Sequence, residues 1–314
     1  MPIVGSLVPR RWEGVIRSVH TSVVNVELPT EPPIFVSLTA FGKDMTDLAI
    51  QVSDLGVFER IGACWTSRGK RDPIRVVCSG GAVEIGTTPR PVVIPVADRT
   101  EWSGRIAEGV RIDGRRVSAF RRALAEYAAG PAGSNGFAAL VRLKGARPEG
   151  ATQAGDSGDE TYNPFLRRAL RITSGIDAGA PLHALGNLVG LGPGFTPSGD
   201  DFIAGTALAH AAVGSHLPDA VRRAVDGARH RTTTGGGTLL HLVLRERFPS
   251  YQLRFLGEVS TDSAVEIDAE TVLDHLREHG ETSGTDMAAG FCWALTSPGV
   301  IGLSGESMYP GAAG

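Results

Sequence analysis

The glycine- and proline-rich stretch Gly190–Phe202, Gly-Leu-Gly-Pro-Gly-Phe-Thr-Pro-Ser-Gly-Asp-Asp-Phe, most constrains what this chain can fold into. Glycine widens the choice of backbone conformations, whereas proline fixes φ and lacks an amide donor, so the residues before Ser198 cannot form a regular element. From Ser198 the chain becomes mainly apolar, and Asp200 and Asp201 place negative charge where a helix dipole is positive. The sequence therefore predicts an irregular loop that leads into a buried helix capped by the Ser198 hydroxyl.

The same arrangement occurs a second time near the carboxyl end. The stretch Ser283–Gly290 repeats the Ser-Gly-x-Asp-x-x-Ala-Gly spacing, so that Ser198 corresponds to Ser283 and Asp201 to Asp286. One such motif is a common helix cap, but two matched copies favour a functional role. Because exposed helix amides and the dipole bind anions, we expect the two helix amino ends to lie side by side and to converge on one ligand. The aspartates would then orient amides, threonines or an arginine.

Composition limits the partners of the chain. Among 314 residues, 31 Lys and Arg side chains stand against 34 Asp and Glu side chains, a net charge of −3, which gives no electrostatic basis for binding nucleic acid or an anionic membrane. The three cysteines lack metal-type spacing and suit a reducing compartment. No apolar run reaches the roughly 18 residues of a membrane span, and the first residues lack a signal-peptide pattern. We expect a cytosolic protein whose partners are small molecules and proteins.

Short runs rich in β-branched residues, separated by turn residues, occupy the chain from Val15 to Val96. No stretch of this region has convincing helical periodicity, so a nucleotide-binding βαβ unit is not supported. The pattern predicts an antiparallel β-rich sheet or barrel. The expected strands lie within Val15–Leu28, Ile34–Thr39, Leu48–Val52, Ile74–Cys78, Ala82–Ile85 and Val92–Val96.

The pattern becomes helical after residue 100. Val117, Phe120, Leu124 and Tyr127 mark a helix that Gly130 would end. Further helices are expected at Pro164–Ile172, with Asn163 as cap, and at Pro181–Val189, Ser198–Val213, Asp219–Arg229, Thr238–Phe248, Ala269–His279 and Ser283–Leu295.

Two segments between these helices are assigned differently. Residues 136–143 are expected to form one more strand, and residues 144–160, which contain no apolar side chain larger than alanine, a mobile loop. The chain is therefore predicted to be an α+β protein. Its β-rich domain would span residues 1–100, and its mainly helical domain, which carries the glycine-rich loops, residues 101–314.

The stretch His230–Gly237, His-Arg-Thr-Thr-Thr-Gly-Gly-Gly, places three hydroxyls beside an arginine. A guanidinium offers a planar fork of donors that suits a phosphate or a carboxylate. The alternative is a flexible loop between helices with a solvated arginine. We interpret Arg231 as a candidate anion ligand and His230 as a candidate proton shuttle.

Other site chemistries have less support. His275 and His279 have i, i+4 spacing but lack the adjacent glutamate of zinc hydrolases, so structural or exposed histidines are favoured. Ser198 is not set in the Gly-x-Ser-x-Gly turn of a nucleophile. The glycine-rich loop also lacks the Gly-Lys-Ser or Gly-Lys-Thr end of a phosphate-binding loop, so ATP hydrolysis is not indicated. Magnesium bound by Asp200 and Asp201 stays an alternative; otherwise we expect no metal and no cofactor.

A family resemblance rests on Gly190–Gly205, on Arg231–Thr233 and on Gly280–Gly290. These stretches, with Gly14–Asn25, resemble the AllH-like family, formerly a domain of unknown function, over most of the chain. The resemblance implies carbamoyl transfer between oxalurate and phosphate, giving oxamate and carbamoyl phosphate, in a complex with companion subunits that include an acyl-CoA-synthetase-like one. Gly235–Gly237 depart from the family pattern, where a serine and larger residues are expected.

The residues and the resemblance agree on a small anionic ligand such as phosphate, carbamoyl phosphate, oxalurate or oxamate. Carbamoyl transfer needs fixed donors around a carbonyl that becomes tetrahedral. The hypothesis assigns catalytic roles to Arg231, His230, Asp200 and Asp201. It assigns substrate binding to Gly192, Gly194, Thr196, Ser198, Gly199, Thr232, Thr233, Ser283, Gly284 and Asp286.

Two other functions remain open at this point. The chain could be a noncatalytic metabolite-binding or scaffold subunit whose partner carries the chemistry. It could also be a metal-dependent amidohydrolase built on the aspartates, which would release ammonia rather than carbamoyl phosphate. We favour the carbamoyltransferase.

Overall fold

The computed structural model describes residues 2–68, 72–87, 90–133, 135–141, 163–261 and 268–301. The chain divides into two compact units. The first runs through Arg105 and also takes in Arg247–Tyr251, and the second comprises Ile106–Glu246 and the described residues from Gln252 onward. No helix in the described ranges is long and apolar enough to cross a membrane.

The first unit contains a nine-stranded sheet. Its strands are β1 (Ile3–Gly5), β2 (Trp12–Val19), β3 (Val23–Leu28), β4 (Ile34–Ala40), β5 (Ala49–Val52), β6 (Arg75–Ser79), β7 (Ala82–Ile85), β8 (Val92–Pro95) and β9 (Thr100–Trp102). They lie in the order β8-β7-β6-β2-β3-β4-β5-β1-β9. The expected β-rich sheet is therefore confirmed, but it is mixed, because β4 pairs with β5 and β1 with β9 in parallel.

One helix interrupts the strands of the first unit, where the sequence predicted none. Helix α1 (Gly56–Arg68) buries Val57, Phe58, Ile61 and Cys64, which recur at the spacing of one helix face. Gly62 lies between these residues, and Val57 and Ile61 are themselves β-branched, so low helix propensity obscured the pattern. Burial of the apolar face, rather than local propensity, explains why this helix forms.

The second unit is mainly helical, as the sequence predicts. Its helices are α2 (Gly114–Ala129), α3 (Pro164–Asp177), α4 (Ser198–Ala212), α5 (Asp219–Ala228), α6 (Thr234–Val243), α7 (Ser250–Glu258), which begins with residues of the first unit, α8 (Ala269–Arg277) and α9 (Ser283–Thr296). Short 3-10 helices cover Pro131–Gly133, Leu182–Leu188 and Arg229–Arg231. The predicted start of α3 is confirmed, since Asn163 Oδ1 accepts the Leu166 amide at 2.8 Å.

Three local predictions in this unit are wrong. Residues 137–141 form turns and a helical turn instead of a strand. Helix α7 was not predicted. Helix α6 begins at Thr234, four residues earlier than expected, because the Thr233 hydroxyl accepts the Gly236 amide at 3.0 Å and caps the helix. The expected loop at residues 144–160 lies outside the described residues.

Helices α4 and α9 form the buried centre of the second unit. They touch backbone to backbone: a Cβ atom on Gly205 would lie 1.8 Å from the Met287 carbonyl oxygen, and one on Gly290 would lie 2.0 Å from that of Phe202. Gly205 and Gly290 occupy corresponding positions of the sequence repeat, as do Phe202 and Met287. The repeat therefore becomes a symmetric helix pair whose spacing requires glycine on both sides.

Candidate functional site

The amino ends of α4 and α9 lie side by side, as the repeat predicts. The Ser283 hydroxyl at the start of α9 donates to Asp201 Oδ2 of α4 over 2.8 Å. In the opposite direction, the Ser198 hydroxyl lies close enough to the Asp286 carboxyl to lower the pKa of that group. Each repeat thus supplies a hydroxyl to the aspartate of the other. Ser198 is the first helical residue and does not cap α4, which corrects the sequence prediction.

A third helix start joins this pair. Asp200 Oδ1 accepts the Gly190 amide at 2.9 Å, and Asp200 Oδ2 accepts the Thr232 hydroxyl, which immediately precedes the cap of α6. A Cβ atom on Gly236 would lie 2.1 Å from Asp200 Oδ2. Asp200 therefore connects the glycine-rich loop to α6, and this close approach explains why glycine stands at position 236.

The loop between Gly190 and Pro197 is held to all three helix starts. Gly190, Gly192 and Gly194 have φ values of +74°, +117° and +108°, a region that other residues adopt rarely. The Thr233 hydroxyl donates to the Phe195 carbonyl, and Thr196 Oγ1 lies 2.6 Å from Ser283 Oγ. The loop conformation is therefore fixed by hydroxyl groups from α6 and α9.

Gly199 and Gly284, the two predicted glycine ligands at the helix starts, are tightly packed. The Gly199 amide donates to the Leu191 carbonyl at 2.8 Å, so it does not face a ligand. A Cβ atom on Gly199 would lie 2.0 Å from the Leu188 carbonyl oxygen, and one on Gly284 would lie 2.1 Å from that of Leu276. Both glycines are buried and allow the preceding segment to lie against the helix.

Arg231 and His230 occupy the short turn before α6. The exposed Arg231 side chain donates one N–H to the Gly186 carbonyl, and its backbone lies against Gly190 of the loop. The His230 Nδ1 donates to the Gly227 carbonyl at 2.9 Å, which directs this exposed ring back to α5. The structure therefore brings Arg231 to the loop, whereas the hydrogen bond of His230 leads away from it.

Three carboxyl groups are buried where the helices meet. Asp200, Asp201 and Asp286 are at most 1% exposed. Burial raises the pKa of Asp200 to about 6, although hydrogen bonds from Thr232 and Gly190 oppose the shift. Burial likewise raises the pKa of Asp286 to about 6 and, together with the charges of Asp286 and Asp200, raises the pKa of Asp201.

These shifts predict a pH dependence of stability. Because the folded pKa values of Asp200 and Asp286 lie above the unfolded value of 3.8, the folded chain binds more protons between pH 3.8 and about 6. Each of the two carboxyls should therefore lower the free energy of unfolding by about 3 kcal/mol as pH rises through that window. Chemical denaturation of Asp200→Asn across the window should show a shallower decline than the native chain.

The exposed Asp219→Asn on α5 is the matched control and should keep the native slope. An identical slope in Asp200→Asn would contradict a raised pKa at Asp200.

The two aspartates of the magnesium alternative are engaged with protein donors. Both Asp200 oxygens and one Asp201 oxygen accept hydrogen bonds from protein groups. Hard cations require several oxygen ligands that are open to the ion. Within the described ranges, no group of three histidine, cysteine, aspartate or glutamate side chains could hold a metal ion.

Some contacts of the site had no signal in the sequence. The Phe137 amide donates to Asp286 Oδ1, and a Cβ atom on Gly136 would lie 2.4 Å from that oxygen. Thr282 also lowers the pKa of Asp286 through its hydroxyl. Residues 136 and 137 lie about 150 positions from Asp286, so no local pattern could have identified them.

Comparison with known proteins bears on this region of the chain. Neither a curated protein nor a solved structure matches the chain. A family model does match residues 188–295, and its description is oxamate carbamoyltransferase subunit AllH. The matched range contains the glycine-rich loop, the turn before α6 and the amino ends of α4, α6 and α9. The resemblance of this chain to the AllH family is therefore confirmed over residues 188–295.

Proposed function

We propose that this chain is a subunit of a carbamoyltransferase that converts oxalurate and phosphate into oxamate and carbamoyl phosphate. The proposal rests on one observation: the AllH match at residues 188–295 contains the amino ends of α4, α6 and α9, which surround the glycine-rich loop. The family description names a subunit of oxamate carbamoyltransferase. Since the description names a subunit, we infer that companion subunits complete the enzyme, and the resemblance to the AllH family implies that one of them is acyl-CoA-synthetase-like.

The groups accessible at the loop suit a small anion. Arg231 and Thr233 are exposed, and Thr196, Thr232 and Ser283 are partly exposed, whereas the aspartates behind them are buried. Hydroxyl and guanidinium groups donate hydrogen bonds to phosphate and carboxylate oxygens, and the three helix dipoles add positive potential. The aspartates orient these donors and stay out of contact with the anion.

The reaction needs orientation and charge stabilisation rather than a covalent intermediate. A phosphate oxygen attacks the ureido carbonyl carbon, the bond from that carbon to the oxamate nitrogen breaks, and the phosphate proton replaces it on the nitrogen. Negative charge develops on the carbonyl oxygen, and fixed donors stabilise it. We assign phosphate or substrate carboxylate binding to Arg231. Thr232 and Thr233 donate to the anion when their hydroxyls turn away from Asp200 and from the Phe195 carbonyl, to which they donate in the free chain.

A noncatalytic role is the second candidate, because the family description names a subunit rather than a whole enzyme. In that case the loop would hold the metabolite, and a companion subunit would supply the chemistry.

An assay of the purified chain distinguishes the two. The chain is incubated with oxalurate and phosphate, alone and with its companion subunits, and carbamoyl phosphate and oxamate are measured. Turnover by the chain alone supports catalysis at this site. If carbamoyl phosphate or oxalurate raises the unfolding midpoint of the chain, but turnover appears only after the companion subunits are added, the chain is a binding subunit. Ammonia release that a chelator abolishes would contradict both.

A further inference from the structure

Two hydroxyl groups connect the loop surface with the buried Asp201 carboxyl. Thr196 Oγ1 lies 2.6 Å from Ser283 Oγ, and the Ser283 hydroxyl lies 2.8 Å from Asp201 Oδ2. Thr196 and Ser283 are partly exposed, whereas Asp201 is 1% exposed. An unbroken line of hydrogen bonds therefore runs from the loop to an interior acid.

The surroundings of Asp201 disfavour a negative charge. Burial, together with the charges of Asp286 on α9 and Asp200 on its own helix, raises the pKa of Asp201 well above the ordinary value. Hydrogen bonds from the Ser283 and Thr196 hydroxyls oppose this shift without cancelling it. Thr232, next to α6, contributes an uncharged hydroxyl to Asp200. One oxygen of Asp201, Oδ1, is buried and has no hydrogen-bond partner. An ionised carboxylate in this position would be costly.

We propose that Asp201 holds a proton at neutral pH and exchanges it with the loop surface through Ser283 and Thr196. A proton fits where a cation does not, because the unpartnered Oδ1 is sealed from solvent and a proton requires no extra volume. The neutral acid also removes one of three negative charges that share this interior.

The hydroxyl line can run in either direction because each hydroxyl both donates and accepts. With Asp201 ionised, Thr196 donates to Ser283, and Ser283 donates to Asp201. With Asp201 protonated, Asp201 donates to Ser283, Ser283 donates to Thr196, and the Thr196 hydrogen is free to face the loop surface. One proton transfer therefore reverses the whole line.

This inference rests on the proposed function for its role in the reaction. As the bond between the ureido carbon and the oxamate nitrogen breaks, Thr196 gives its hydrogen to that nitrogen. Ser283 then gives its hydrogen to Thr196, and Asp201 gives its proton to Ser283. The proton lost by phosphate on attack returns along the same line to Asp201. The sum is unchanged: the phosphate proton ends on oxamate. Asp201 and Ser283 act only through Thr196, so they are positioning residues.

Infrared spectroscopy tests the proton without any turnover. The full chain at neutral pH should show the C=O band of a protonated carboxylic acid that Asp201→Asn lacks. After transfer into deuterated water, this band should shift as the proton exchanges. The shift should be several-fold slower in Ser283→Ala and in Thr196→Val than in the native chain, and Thr196→Ser should restore the native rate. Thr296→Val, at the far end of α9, is the matched control.

Turnover provides the second readout. In the active assembly, Thr196→Val should lower kcat by about 100-fold, the usual contribution of a proton donor, with little change in KM. Activity should fall at high pH as Asp201 ionises, and Asp201→Asn should lose that dependence.

Each result decides part of the proposal. If the native chain and Asp201→Asn show the same C=O bands, Asp201 does not hold a proton. If Ser283→Ala and Thr196→Val exchange at the native rate, the proton does not travel through these two hydroxyls. An unchanged kcat in Thr196→Val overturns the role in catalysis. If the native assembly transfers no carbamoyl group, the proposed function fails, while the band and its exchange rate still decide the proton and its path.

Discussion

Replacing Gly205 with alanine should destabilise the second unit by about 3 kcal/mol or more, because overpacking of a tight contact cannot be relieved by a side-chain rotation. The added Cβ would lie 1.8 Å from the Met287 carbonyl oxygen, so helices α4 and α9 must separate. Thermal unfolding should show a midpoint lowered by about 10 °C. The same reasoning applies to Gly290→Ala, whose Cβ would lie 2.0 Å from the Phe202 carbonyl oxygen.

Gly227→Ala is the control for this experiment. Gly227 also lies within a helix, α5, but a Cβ there would meet no atom within 4 Å. Because alanine favours an exposed helix over glycine, this variant should be more stable than the native chain by about 0.5–1 kcal/mol. Equal midpoints for Gly205→Ala and Gly227→Ala would show that α4 and α9 are not packed backbone to backbone.

Replacing Arg231 with alanine should raise the apparent constant for the anionic substrate by about 10–100-fold, the effect of losing one hydrogen-bonded charge. The exposed guanidinium, anchored on Gly186 beside Gly190, is a cation that the structure brings to the loop. The measurement is kcat/KM for oxalurate and phosphate, together with the phosphate-dependent rise of the unfolding midpoint. Arg231→Lys should recover only part of the loss, since it keeps the charge but not the planar fork.

Arg223→Ala removes an exposed arginine from α5 and is the matched control, with an expected native constant. The unfolding midpoint of Arg231→Ala without ligand should stay within a few degrees of the native value. An unchanged constant in Arg231→Ala would remove this residue from the anion site, and our assignment of the loop would then lose its only arginine.

The sequence predicted the elements whose signals are local. Asn163 followed by Pro164 defines the start of α3 because the cap and the fixed φ of proline act within one turn. The repeat at Ser198 and Ser283 predicted two matched helix starts, and both helices begin at these serines. The strands from β2 to β8 follow from β-branched runs between turn residues.

The failures share a different cause. Helix α1 combines weak propensity with a buried face, so its packing decided its conformation. Residues 136–141 were predicted as a strand because they are apolar, but the Phe137 amide bonds to Asp286 instead of to a neighbouring strand. In both cases a tertiary contact outweighed the local pattern.

By itself, the sequence determined the order of the two parts of the chain, the paired helix starts and the residue types of the proposed anion site. Only the tertiary structure decided how those residues are used. It buried Asp200, Asp201 and Asp286 behind a layer of hydroxyls, and it brought a third helix start to the loop through Gly236. The physical reason is that capping and propensity act within a few residues, whereas desolvation and backbone contact depend on neighbours far away in sequence.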